Sequence, residues 1–568
     1  MIRLRYRVFH EQPHLFLGGA SVVTSAFAST TLPSFLPLLL HLTIVLIYAP
    51  KVLSRSPFTG ITSLWFGLSI GRSISWFTPS LHTLDTPGIS VLVLLGQSFA
   101  TSAISLTAVL IYARLRTRVS SGLAQLTLFP ALWACIWCAA AYISPVGYLT
   151  SWSPVNGIEY YDWIIPFVGP AVKDWLVAAW AAICSQMVEE WIMGSQLPEE
   201  APLIPDLDRS PQRKYPRGSA KLILASFLVV LAFPSFFFND LPLPVISSET
   251  TPFTVGCVLP PFQRYKDYNP TLEDYIRESS TLAPHANLLL WPEGAVSFQD
   301  EAEREAKLSV VRGRVLGAWV GVSFEETYHD PQGSRGERGI RRTGIALVSS
   351  RQNETHFIYY KRHLVPIAES FSLRSSSEPP TIHTLDLQKP NWMKIPKGDW
   401  APAPKFTRPI PVTASICLDL AFPLHSLDSR PALILAPGRT WDVTVAEVMW
   451  KQAKLRAHEL GSAILWCDGG DRGVSGVAGE GISESVQVGH GSWVRKIALP
   501  YPFDEQPTPY GRGGNYLVLI LMCLPLVFSL PVASTGFLPG SGIRRVGSAL
   551  QSFWQRRIRS SELEEDLI

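Results

Sequence analysis

Charged side chains are scarce in this chain. Only 17% of its 568 residues are Asp, Glu, Lys or Arg, whereas 47% are hydrophobic. A soluble protein of this length carries more charge, so the composition predicts a membrane-embedded part. The net charge of +3 is small against 49 basic and 46 acidic side chains, which argues against a nucleic-acid partner.

Cysteine and histidine are also few. The seven cysteines are scattered among apolar and polar segments, which predicts no disulfide framework. The twelve histidines form no cluster with the spacing of metal ligands. The sequence therefore predicts neither a metal nor another cofactor.

Long apolar runs are the main feature of the first 240 residues. A bilayer core of about 30 Å needs about 20 apolar residues per helix. The sequence predicts a polytopic α-helical membrane protein with about eight transmembrane helices, the first being the weakest. They lie near residues 14–30, 32–50, 58–78, 88–112, 122–144, 164–187, 219–240 and 515–537.

The loops between these runs alternate in charge. The loops at 79–87 and 145–163 contain no Lys or Arg, whereas basic clusters precede the first run and follow the second, fourth and sixth. Because short cytoplasmic loops carry excess Lys and Arg, both termini are predicted inside. The resulting organisation is seven spans in 1–240, a non-cytoplasmic domain in 241–514, one span in 515–537 and a cytoplasmic tail in 538–568.

Two charged residues interrupt the apolar runs. Arg72 and Lys173 lie toward the outer halves of their predicted spans. A charge inside a span is costly and requires a partner or a water-lined cavity. The favoured interpretation is that both side chains reach the membrane surface.

From about residue 250, short β-rich runs alternate with charged helix-like stretches, which predicts an α/β domain with strands buried on both faces. Three strand ends carry reactive side chains: Glu293 after Leu-Trp-Pro, Lys361 after Tyr-Tyr, and Cys417 after Ser-Ile. Cys417 is a candidate nucleophile, Glu293 its general base and Lys361 the cation that holds an oxyanion. Taken singly, each residue type is more often a core or surface residue.

Three motifs together resemble the carbon-nitrogen hydrolase, or nitrilase, superfamily. They are Trp-Pro-Glu at 291–293, Lys-x-x-Leu-Val-Pro-x-x-Glu at 361–369 and Ile-Cys-x-Asp-x-x-Phe-Pro at 416–423. In detail and in helix layout they are similar to its apolipoprotein N-acyltransferase branch. The resemblance implies a nitrilase-like α-β-β-α sandwich and an acyl thioester on Cys417. It also implies a membrane phospholipid donor, an amine acceptor such as a lipidated protein, and a place in lipoprotein biosynthesis. Glu369, Asp419 and Trp441 match further positions of the family and are possible supporting residues.

Some positions depart from the family pattern. Leu418 and Asp419 stand where an aromatic residue and Glu are usual, which leaves the acceptor open. The leading hypothesis is a membrane N-acyltransferase. The alternatives are a membrane-anchored amidase with the same triad and a non-enzymatic scaffold. Asn353 begins an Asn-Glu-Thr glycosylation sequon on the predicted outer side.

Overall fold

The computed structural model describes residues 11–55, 57–81, 83–84, 86–119, 121–193, 217–237, 242–260, 269–328, 340–424 and 427–529. Residues 11–237 are called the helical region below. Its α-helices, α1 to α8, are Gly19–Ala28, Phe35–Arg55, Pro57–Leu81, Pro87–Leu115, Gly122–Ile143, Ile165–Val168, Ala171–Met193 and Arg217–Ala232.

The predicted count of eight membrane spans is not supported. Within the described ranges, three helices are long and apolar enough to cross a membrane: Phe35–Ser54, Pro87–Arg118 and Gly122–Ile143. His14–Ala28 and Ala220–Phe236 are apolar but shorter. The run at 58–78 is helical but rich in Gly, Ser and Thr, and the predicted span 164–187 is broken at Gly169, where φ is 78°. Residues 530–537 of the last predicted span, and the tail 538–568, lie outside the described residues.

The prediction that Arg72 and Lys173 reach the surface is wrong, because both side chains are buried. The Nζ atom of Lys173 lies 2.5 Å from a carboxylate oxygen of Asp162. The Arg72 guanidinium lies 5.7 Å from the ring centre of Trp76 and 5.8 Å from that of Trp152. Both side chains are buried because the rest of the chain packs over them.

Residues 250–500 form two β-sheets, called the sandwich below. The strands, β1 to β13, are Thr250–Cys257, Leu288–Leu290, Val296–Phe298, Trp319–Tyr328, Ile340–Ser349, Phe357–Tyr360, His383–Gln388, Thr407–Ala414, Leu433–Gly438, Ala463–Asp468, Val474–Gly479, Ile482–Val488 and Trp493–Pro500. One sheet has the order β13-β1-β2-β4-β5-β6, with β3 paired to β4, and the other has the order β12-β11-β10-β9-β8-β7. The central pairs β1-β2, β2-β4, β8-β9 and β9-β10 are parallel.

Helices cover the outer face of each sheet. The remaining helices are α9 (Leu272–Leu282), α10 (Glu301–Arg314), α11 (Lys397–Trp400), α12 (Val443–Leu460) and α13 (Pro509–Ser529). Helices α9 and α10 pack on the first sheet and α12 packs on the second, while a third apolar core fills the space between the sheets. The β9 and β10 side chains are buried throughout, as expected for parallel strands covered on both faces. The predicted α/β domain is confirmed.

A disulfide bond joins the two sheets. Cys257 in β1 is bonded to Cys467 in β10, across a separation of 210 residues. The scattered cysteines had predicted no such pairing. Closing so long a loop restricts the unfolded chain, and such bonds contribute about 2–5 kcal/mol of stability.

Helix α12 also packs against the helical region. Lys451 Nζ donates to Asn156 Oδ1 at 2.6 Å, and the Gln452 side-chain amide donates to the Ser153 carbonyl at 3.3 Å. These polar contacts fix the sandwich on the helical region through the same helix that covers the second sheet.

Candidate active site

The three predicted strand ends meet at one edge of the sandwich. Strand β6 is antiparallel to β5, which is antiparallel to β4, so β6 runs in the same direction as β2. Glu293 therefore follows β2 and Lys361 follows β6 at the same edge of the first sheet. Cys417 follows β8 in the facing sheet. The convergence predicted from sequence is a consequence of this common strand direction.

Lys361 is the centre of the charge cluster. Its side chain is fully buried, and its Nζ donates to Glu293 Oε1 at 2.7 Å and to Glu369 Oε1 at 2.8 Å. Burial alone would lower the pKa of Lys361, but the surrounding Glu293, Cys417 and Glu369 outweigh it and raise that pKa. The ammonium group therefore stays charged over the whole physiological pH range.

Glu293 can accept a proton near neutral pH. Burial raises the pKa of its carboxyl from 4.5 to about 7, while the Lys361 charge opposes this shift. The Cys417 side chain lies close enough to this carboxyl to influence its pKa. A base whose pKa lies near the working pH, beside the group whose proton it must remove, suits general-base catalysis.

Cys417 has an unusual backbone conformation. It begins the short 3₁₀-helix Cys417–Ala421 with a φ of 45°, in the left-handed region that side-chain-bearing residues rarely occupy. Such a conformation costs about 1–3 kcal/mol, and residues that keep it cluster at reactive sites. The strain is offset by a turn in which the Ile416 amide donates to Asp419 Oδ2 at 3.2 Å.

The Cys417 thiol is buried and must be activated. Burial and the negative charge of Glu293 raise the pKa of the thiol, whereas the Lys361 ammonium and the backbone N–H of Arg439 oppose this rise. The resting sulfur is therefore protonated. Transfer of its proton to Glu293 would place a thiolate beside a fixed positive charge and a main-chain donor.

Glu369 lies in the cluster, as the motif indicated. One carboxylate oxygen accepts from Lys361, and the other accepts from the Val365 amide at 2.8 Å. Its side chain is 22% exposed, more than those of Glu293 and Lys361. Glu369 thus holds the lysine from the open side of the site.

Asp419 supports the loop that follows Lys361. It is buried and accepts from the Tyr359 hydroxyl at 2.9 Å, from the His363 amide at 2.7 Å and from the Arg362 amide at 3.2 Å. Its carboxylate therefore ties the cysteine segment of one sheet to the lysine segment of the other.

Trp441 links the sandwich to the helical region. Its indole N–H donates to the Pro79 carbonyl of α3 at 3.2 Å, and 44% of the side chain is exposed. The loop from Gly438 to Trp441 thus extends from the strand end beside Cys417 to the helical region.

Two contributions were not found from the sequence. The backbone N–H of Arg439 cannot be recognised from a side-chain pattern. Asp468, which ends the apolar strand β10, accepts from the Thr440 amide at 2.9 Å and from the Gly470 amide at 3.0 Å, and so shapes the loop that carries Arg439. A carboxylate at the end of a buried strand was the signal that could have identified it.

No family model matches the chain. Two apolipoprotein N-acyltransferases are similar to it: that of Methylococcus capsulatus is 27% identical over 206 residues, and that of Coxiella burnetii is 26% identical over 214 residues. Each match covers 34% of this chain, and 37% or 38% of the relative. The chain thus matches little more than a third of the length of these relatives.

Over about a third of its length, the chain is thus similar to apolipoprotein N-acyltransferases. Among solved structures, a nitrilase-superfamily amidase from Nesterenkonia has 17% identity and a TM-score of 0.31, and covers 46% of this chain and 95% of its own. A nitrilase-superfamily protein from Saccharomyces cerevisiae has 15% identity and a TM-score of 0.31, and covers 51% of this chain and 98% of its own.

Proposed function

We propose that this protein is a membrane acyltransferase that moves a fatty acyl chain from a phospholipid to an amine through a thioester on Cys417. The observation that supports this most directly is the buried cluster in which Glu293 accepts from the Lys361 ammonium beside the buried Cys417. Acyl transfer needs a nucleophile, a base and a charge for the oxyanion, and the cluster supplies all three.

In the first half-reaction, Glu293 takes the thiol proton and the Cys417 sulfur attacks the ester carbonyl carbon of the phospholipid. A C–S bond forms, and the Lys361 ammonium stabilises the negative oxygen. The ester C–O bond then breaks, the proton on Glu293 passes to the leaving alkoxide, and a lysophospholipid departs. Glu369 keeps Lys361 in place because it binds the same ammonium.

In the second half-reaction, an amine attacks the thioester. A C–N bond forms, the C–S bond breaks, and the amine proton passes by way of Glu293 to the sulfur, which restores the thiol. A lipidated protein with a free amino terminus is one acceptor of this chemical class. No metal or other cofactor enters either step.

We propose that the helical region is membrane-embedded and that both termini lie inside, as the loop charges predict. Exposing a methylene of a diacyl lipid to water costs about 0.8 kcal/mol. A site that opens toward the bilayer avoids this cost, because the lipid can enter without leaving the membrane. Phe371, which follows Glu369 by two residues, is 86% exposed and is a candidate for contact with lipid.

The outside location of the sandwich is supported by two features. Disulfides such as Cys257–Cys467 persist in oxidising compartments. The sequon residue Asn353 is exposed in the turn between β5 and β6.

Glycosylation of Asn353 tests this orientation. After expression in eukaryotic cells, the wild-type protein should carry added mass that a glycosidase removes, and the Asn353→Gln variant should lack it. A band of unchanged mobility for both proteins, together with cytosolic protease access to the sandwich, would reverse the proposed orientation.

The second candidate function is a membrane-anchored amidase. Glu293 lines a polar cleft of about 670 Å³ together with Arg439, Asp471 and His490. Such a cleft admits water as well as an amine, and water would hydrolyse the thioester to a free fatty acid. Chromatography of the acyl products separates the two functions, because a transferase yields an N-acyl amine and an amidase yields the free acid.

Intact-protein mass spectrometry tests the thioester directly. After incubation with phospholipid, the wild-type protein should gain the mass of one acyl chain, and hydroxylamine should remove it. The Cys417→Ala variant should gain none. Cys138→Ala, which removes another buried free thiol, is the matched control and should acylate like the wild type.

An adduct that persists in Cys417→Ala would assign the nucleophile elsewhere. Absence of an adduct in folded wild-type protein, with phosphatidylethanolamine, phosphatidylglycerol and phosphatidylcholine alike, would contradict the phospholipid donor.

A further inference from the structure

A second lysine cluster lies where α12 faces the helical region. It lines a cavity of about 320 Å³ formed by the loop after α5, the start of α7, α12 and the β11–β12 turn. A side-chain carbon on Gly479 of that turn would meet Ala463, the first residue of β10. The candidate active site lies beyond the other end of β10, roughly 17 Å away along a six-residue strand. The cavity is therefore separate from the reactive cluster.

Three lysines from two regions converge on this cavity. Lys173 comes from α7 of the helical region, and Lys451 and Lys454 come from one face of α12. Lys451 donates to a neutral amide oxygen, Asn156 Oδ1, at 2.6 Å. Lys454 Nζ lies 5.7 Å from the ring centre of Trp450. In the described part of the chain, neither α12 lysine forms a hydrogen-bonded ion pair with a carboxylate.

The two carboxylates of the cavity already have donors. Asp162 is paired with Lys173, and Glu159, which is exposed at the cavity mouth, accepts from the Gly157 amide at 2.8 Å. Among the residues that line the cavity, three lysines thus stand against two carboxylates, while Glu447 acts on Lys451 from outside the lining. Burial and the charge of Lys454 lower the pKa of Lys451 to about 8, and the opposing effect of Glu447 and Glu159 is smaller.

We infer that this cavity binds a phosphate group, held between Lys173 of the helical region and Lys451 and Lys454 of the sandwich. A tetrahedral phosphate offers acceptor oxygens in several directions at once, which suits donors that approach from two sides. The cavity is several times the volume of such a group. Its occupation would join the two regions by ion pairs at a point remote from the reaction.

The surroundings favour the phosphate of a lipid headgroup as its source. Tyr160 and Phe236 stack with ring centres 5.8 Å apart beside the cavity and are 57% and 71% exposed. Exposed aromatic side chains of this kind are enriched at the headgroup level of a bilayer. This source depends on the proposed membrane embedding of the helical region. Inorganic phosphate has the same binding chemistry and is the other source.

The experiment uses the full chain carrying Cys417→Ala, purified in detergent and stripped of lipid. The probes are dihexanoyl phosphatidylglycerol, dihexanoylglycerol without phosphate, and sodium phosphate, each titrated by calorimetry. Adding Lys451→Gln and Lys454→Gln should weaken binding of the phosphorylated lipid at least tenfold. The same pair of substitutions should leave binding of dihexanoylglycerol unchanged. Lys405→Gln, at a lysine whose side chain is 77% exposed elsewhere in the sandwich, is the matched control and should have no effect.

Each outcome decides the inference or its source. Equal affinity of the phosphorylated lipid for the Cys417→Ala protein and for the triple variant would overturn it. If sodium phosphate binds as tightly as the lipid and the lysine changes abolish this binding, the site stands and its ligand is free phosphate. Because Cys417→Ala cannot form a thioester, these results are independent of whether the proposed acyl transfer occurs.

Discussion

The molecule contains two lysine clusters of different charge balance, of which the first is fully buried and the second partly buried. Two carboxylates and a thiol outweigh burial and raise the pKa of Lys361, whereas burial and the neighbouring Lys454 lower the pKa of Lys451 to about 8. A lysine side chain therefore has a raised pKa in one cluster and a lowered pKa in the other. In the first cluster it is a permanently charged group whose counterions are built in. In the second it lacks part of its counter-charge, which an external anion can supply.

The largest expected effect comes from removing the charge of the first cluster. Lys361→Met should slow acylation of Cys417 by about 10²–10³-fold, because the oxyanion loses its charged donor. Single-turnover acylation measured by mass spectrometry reports this rate. Lys405→Met is the control. A rate within threefold of the wild type would show that the Lys361 charge is not used in the transition state.

The pH dependence of acylation tests the base assigned to that cluster. Glu293 must be ionised to accept the thiol proton, and its pKa is raised to about 7, mainly by burial. The single-turnover rate should therefore fall about tenfold per pH unit below about pH 7 and level off above it. A rate that stays constant from pH 5 to pH 8 would exclude Glu293 as the base.

A smaller change should come from Glu369→Gln, which keeps an acceptor for Lys361 but removes one negative charge. The negative charge of Glu369 is among the factors that raise the pKa of Glu293. Its loss should move the acidic limb of the rate profile to lower pH. A purely structural role would lower the rate at every pH and leave the limb in place, so the full profile separates the two.

The smallest effect concerns the second cluster. Below about pH 8, folded Lys451 carries a charge that its surroundings disfavour, whereas an unfolded lysine keeps its proton up to about pH 10.5. Lys451 therefore lowers the free energy of unfolding by its full amount below pH 8, and this destabilisation disappears as the pH approaches 10.5. Lys451→Met should raise Tm by about 1–2 °C at pH 7 in lipid-free detergent, and by less at pH 10. A lower Tm at pH 7 would contradict the charge imbalance.

The sequence identified the side chains of the reactive cluster, but not the main-chain donor or the disulfide bond near them. Glu293, Lys361 and Cys417 each follow an apolar strand, and the three motifs that resemble one family, taken together, led to the prediction that these residues meet. The role of Arg439 depends on its main-chain N–H, which every residue except proline has. The pairing of Cys257 with Cys467 depends on how two sheets pack, and that packing is not visible in local sequence.

The helical region was predicted less accurately, for a different physical reason. Hydropathy counts apolar residues but does not register a local break such as Gly169, or a charged pair such as Lys173 and Asp162. Burial of Arg72 likewise depends on Trp152, which lies far away in the sequence and packs over its guanidinium. Properties that arise from contacts between distant segments could not be obtained from a sliding window.

One glycine allows the two regions to approach closely beside Cys417. Gly147, in the loop after α5, has a φ of 55°, and a side-chain carbon there would lie 2.4 Å from the carbonyl oxygen of Ala421. Ala421 ends the short helix that Cys417 begins, so a loop of the helical region abuts the backbone that orients the nucleophile. The backbone conformation at the nucleophile therefore depends on contacts from outside the sandwich. Some of these contacts come from the region proposed to lie in the membrane.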